Sequence, residues 1–173
     1  TGTATGGRGG ALTLTVGEGN SGTGGIMRMY AGDSSAATGG AIYIESGHGS
    51  ATSSGLLSIR TSNAGSTGTS GALVFSSGTT TSGASGSVSS GSGAATGGKG
   101  GAITLTVGSG DSGVGGTLTL LGGDTSASSK TGGSVLIKSG KSSPASSGEI
   151  NIVSACGGAA GVSGLLSFSS GTT

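Results

Sequence analysis

A chain of 173 residues with 44 glycines and only 8% charged residues carries about a third of the charge of an ordinary globular domain, which runs near 25%. Seven Lys and Arg scattered singly, a formal charge of +1 and 2% aromatics leave a nucleic-acid surface without support, and no apolar run approaches the ~20 residues of a membrane span. A single cysteine excludes an intrachain disulfide, while a 31% hydrophobic content at regular intervals argues against simple disorder.

The regular intervals form a repeat of the type x-Φ-x-Φ-x-x-Gly, where Φ is apolar, followed by a small polar stretch ending in Gly-Gly or Ser-Gly. In chain order the first segment starts at Ala11 and carries Leu12 and Leu14. The second starts at Ile26 with Met27 and Met29, and the third at Ala41 with Ile42 and Ile44. Leu57 and Ile59 follow from Leu56, then Leu73 and Phe75 from Ala72. The segment at Ser87 carries Val88 but places Ser90 in its second apolar position, which makes it the weakest repeat and an expected soft joint or contact site. The series resumes with Ile103 and Leu105, Leu118 and Leu120, and Val135 and Ile137. It ends with Ile150 and Ile152, and Leu166 and Phe168. Most successive starts lie 15 residues apart.

A longer period overlies this one. Residues 5–22 match residues 96–113 at 14 of 18 positions, so six short repeats make one long unit. The chain reads as a single domain of two such units, 1–91 and 92–173, the second incomplete. It is expected to be a window of a longer repeat protein.

A period of two puts both Φ side chains on one face of a strand, and the glycine-rich composition disfavours helix, each interior Gly costing about 1 kcal/mol against Ala. The expected fold is therefore all-β: a β-solenoid, parallel β-helix-like, of ~15-residue coils stacked about 4.8 Å apart. Its cross-section would be flattened because the return segments hold only small residues. The twenty apolar residues named above, Val88 aside, would be its core ladder. A stack of antiparallel hairpins shares the same alternating face and is the rival arrangement.

Chemical motifs are few. Gly17–Gly22 and Gly108–Gly113 both fit G-x-G-x-x-G, yet a dinucleotide site needs a following helix within a β-α-β unit, and turn residues are the better reading. Gly110-Asp111-Ser112-Gly113 has the form of a protease nucleophile loop, but the only histidine, His48, belongs to the other long unit. The six acids, among them Asp33 and Asp124 after corresponding segments, lack the every-turn pattern of a calcium solenoid. No catalytic residue, cofactor or metal is expected. Tyr30 and Tyr43 lie outward beside apolar pairs and, with Cys156, are candidate assembly contacts. No asparagine begins an N-x-S/T sequon, which leaves O-glycosylation of the many Ser and Thr as the open modification.

The recurring stretches GGALTLTVGEGNSGTGG and GGAITLTVGSGDSGVGG resemble the Gly/Ser/Thr-rich repeat proteins of algal and stramenopile type, and some phage fibres. That resemblance implies extracellular threads, such as flagellar hairs (mastigonemes) or cell-surface filaments. The resulting expectation is a non-enzymatic structural subunit of a self-assembling extracellular filament, its main partner other copies of itself. The alternative is a cell-surface adhesin or fibre-type glycan-binding module.

Overall fold

The structure, a computed structural model, describes residues 1–143 and 145–171. Among these residues there is no helix and no strand. The expected β-solenoid with its flattened, parallel coils is therefore not formed, and neither is the rival stack of antiparallel hairpins. The protein is a low-complexity, coil-like chain.

The physical reason lies in how little the repeat can cover. The chain exposes 16790 Å², where a folded monomer of its mass exposes about 7,200 Å² and an unfolded one about 22,000 Å². No hydrophobic side chain is buried among the described residues. The twenty residues expected to form a core ladder, from Leu12 and Leu14 to Leu166 and Phe168, are 47% to 79% exposed. Two apolar anchors per fifteen residues face return segments of Gly, Ser, Thr and Ala, which have no bulk to lay over them. Ordering each residue costs about 1–2 kcal/mol, and more for Gly, so a ladder of coils has no sufficient drive within one chain.

The repeat is nevertheless written into the backbone as bends. The chain divides into two units, Thr1–Val88 and Ser89–Thr173, and the division falls inside the segment that carries Ser90. In the first unit the chain bends at 5–7, 20–22, 35–37, 50–52, 66–68 and 81–83. In the second it bends at 96–98, 111–114, 127–129, 143 with 145, and 159–161. Between bends run the segments that carry the apolar pairs.

Several bends are the tips of loops closed at their base by glycine. Gly40 N–H donates to Gly32 O at 2.8 Å, and Gly55 N–H to Gly47 O at 2.9 Å. In the second unit Gly133 N–H donates to Gly123 O at 2.8 Å and Gly148 N–H to Gly140 O at 3.0 Å. Tighter turns occur at Gly65–Gly68 and Gly158–Gly161, closed at 3.4 and 3.1 Å. Hydroxyls support some tips from within: Ser34 Oγ accepts from Ala37 N–H at 2.9 Å, and Thr125 Oγ1 from Ala127 N–H at 3.2 Å. Short polar side chains commonly hold turns in this way.

Two of the four bases close too tightly for a side chain, whereas a Cβ on Gly55 or Gly148 would meet nothing nearer than 3.4 Å. A Cβ on Gly40 would sit 3.1 Å from Gly32 N, and one on Gly133 would sit 2.9 Å from Gly123 N, so the facing backbone would have to shift at each. The two units repeat one another in these details. Gly6 and Gly97 share φ +78°, and Gly22 and Gly113 have φ +93° and +83°. The longer loop between Gly123 and Gly133 contains the insertion that changes the offset between the units, and there Ser129 takes a left-handed φ of 65°.

Candidate functional site

The feature that recurs along the whole chain is the apolar pair, and its alternation survives without a sheet. Ile42 and Ile44 are 51% and 60% exposed, with Tyr43 between them at 85%. Val135 and Ile137 are 54% and 61% exposed around Leu136 at 83%. The same order holds for Leu57 and Ile59 beside Leu56, and for Ile150 and Ile152 beside Val153. These segments thus have one more sheltered apolar side and one more open side, as an extended chain with a side-chain period of two requires, whereas at Leu12, Leu14 and Phe168 both sides are open.

Local packing completes the segments at their ends. Val16 leans over Gly25, and Val107 over Gly116, where a Cβ would meet its Cγ1 at 2.7 Å. Val16 and Val107 are the least exposed of the large apolar residues described. The first and second units carry this contact at corresponding positions.

The candidate assembly contacts are all accessible. Tyr30 and Tyr43 are both exposed and stand two residues before Gly32 and three after Gly40, on either side of one closed loop. Cys156 is a free, exposed thiol.

The chemical motifs resolve as bends. The G-x-G-x-x-G of residues 17–22 ends in the bend at 20–22, and that of residues 108–113 runs into the bend at 111–114. No helix follows either, so neither presents a helix N-terminus to a phosphate. Asp111 and Ser112 lie in the second unit and His48 in the first. Among the described residues no group of three His, Cys, Asp or Glu side chains is placed to hold a metal ion, and no helix is long and apolar enough to cross a membrane.

Two features were not anticipated from the sequence. One is a concavity of about 380 Å³ lined by Arg60, Thr61, Ser62 and Asn63. Its wall is four consecutive residues, so it is a crook in the chain without groups converging from elsewhere. The other is the partner in each glycine latch. The glycine at the seventh position of most segments was legible as a turn residue, but Gly40, Gly55, Gly133 and Gly148 as the donors that close the loops were not. The signal for them was present in the Gly-Gly or Ser-Gly that ends every repeat.

No protein-family model, curated protein or solved structure matches this chain.

Proposed function

We propose that this chain is a structural repeat polypeptide that associates with copies of itself, as the subunit of a filament outside the cell or at its surface. The observation that carries this reading is the array of apolar pairs, repeated every fifteen or so residues and none of them buried among the described residues. Exposed apolar surface on this scale marks an interaction surface, and an array with one spacing is best matched by another array with the same spacing. Tyr30 and Tyr43 add two large amphipathic rings to that surface, of the kind enriched where proteins meet. The role needs no catalytic group, and it makes use of every repeat.

The test is sedimentation and negative-stain microscopy across a concentration series, without added glycan. Thin, uniform fibres above a threshold concentration are expected. Dispersed monomers at millimolar concentration would overturn the reading.

A further inference from the structure

The two units contain the same closed loop with opposite charge. Gly55 N–H closes on Gly47 O at 2.9 Å, and Gly148 N–H closes on Gly140 O at 3.0 Å. Each loop is preceded by an exposed apolar pair, Ile42 and Ile44 in one case, Val135 and Ile137 in the other. Two residues before the first latch glycine stands Glu45 in the first unit and Lys138 in the second. One residue after it stands His48 in the first and Lys141 in the second. All four are exposed. Beyond the latch, Glu149 follows Gly148 where Leu56 follows Gly55. Within 41–55 the one formal charge is the negative Glu45, and within 134–148 the formal charges are the two positive ones of Lys138 and Lys141, with Glu149 just outside the latch.

This reversal decides how two copies can meet. Like loops brought together oppose Glu45 to Glu45, or Lys138 and Lys141 to themselves. Unlike loops oppose Glu45 to Lys138 while their apolar pairs and backbone latches keep the same spacing. Resting on the self-association reading above, we propose that copies associate heterologously, the 41–55 loop of one chain against the 134–148 loop of the next. A like-on-like contact would close into a dimer, whereas a heterologous contact that does not close propagates into an open filament. Each exposed charge pair is weak, so its role is to select partner and register rather than to supply affinity.

The experiment measures the concentration at half-assembly by sedimentation for four chains: wild type, Glu45→Lys, the exchange Glu45→Lys with Lys138→Glu, and Glu18→Lys as a control for net charge. Glu18 corresponds to the uncharged Ser109 in the second unit. Glu45→Lys is expected to raise the half-assembly concentration roughly two- to five-fold, the range that one exposed ion pair covers. The exchange variant is expected to return to the wild-type value, and Glu18→Lys to stay near it. Assembly that ignores Glu45→Lys, or that ends in closed dimers, overturns the heterologous contact and leaves self-association standing. A wild-type chain that stays monomeric overturns both.

Discussion

Ser129 is the one non-glycine residue described with a left-handed backbone, at φ 65°. It occupies the third position of the turn that Lys130 N–H closes onto Ala127 O at 3.3 Å. A left-handed φ costs an L-residue roughly 1–2 kcal/mol through the approach of Cβ to the following carbonyl. Glycine lacks that cost but has more freedom to lose in the open chain. The difference leaves Ser129→Gly favouring the closed turn by about 0.5–1 kcal/mol. Hydrogen exchange followed by NMR should show the Lys130 amide about two- to five-fold better protected in the variant. Faster exchange at Lys130 would mean that the turn does not need the left-handed residue.

At the scale of the loop, the latch is a backbone device and its sensitivity is steric. A Cβ on Gly133 would stand 2.9 Å from Gly123 N, whereas one on the adjacent Gly132 would stand 3.5 Å from Gly123 O, an ordinary contact. Gly133→Ala should therefore open the latch and Gly132→Ala should not. The hydrogen bond contributes about 0.5–1.5 kcal/mol, so the amide of residue 133 should exchange roughly two- to ten-fold faster in the first variant only. Equal protection in both would show that the loop base is not held by close backbone approach. The latch also shows what the sequence could convey about each element. The repeat, its starting points and its alternating face follow from the spacing of pairs such as Ile42 and Ile44, because a period of two is a local property of an extended chain. The bends follow from the Gly/Ser/Thr stretches for the same reason. Pairing between segments was not legible, since it depends on what lies across from each pair. Leu57 has the same neighbours in sequence whether its partner is the next repeat of its own chain or a second molecule. The reversal of Glu45 and Lys138 was visible in the sequence, but it acquired meaning only when both were seen beside the same closed loop.

At the scale of the whole chain, the exposed area sets the thermodynamics. A folded protein of 173 residues absorbs about 120 kcal/mol when it melts near 60 °C, since unfolding enthalpy scales with length. It also shows a heat-capacity increase that reflects newly exposed apolar surface. This chain already exposes 16790 Å², about three quarters of the area of an unfolded chain of its mass, so heating has little left to expose. Scanning calorimetry at a concentration where sedimentation shows monomer should therefore record no cooperative peak. In the proposed assembly the apolar pairs would leave water together, at roughly 25 cal/mol for each Å² of apolar area covered, and melting would be coupled to dissociation. A peak should then emerge and move to higher temperature as concentration rises, because mass action links stability to protomer concentration. A sharp peak in the monomer, unchanged by dilution, would show a cooperative core within one chain, and the apolar pairs would then not be waiting for a second copy.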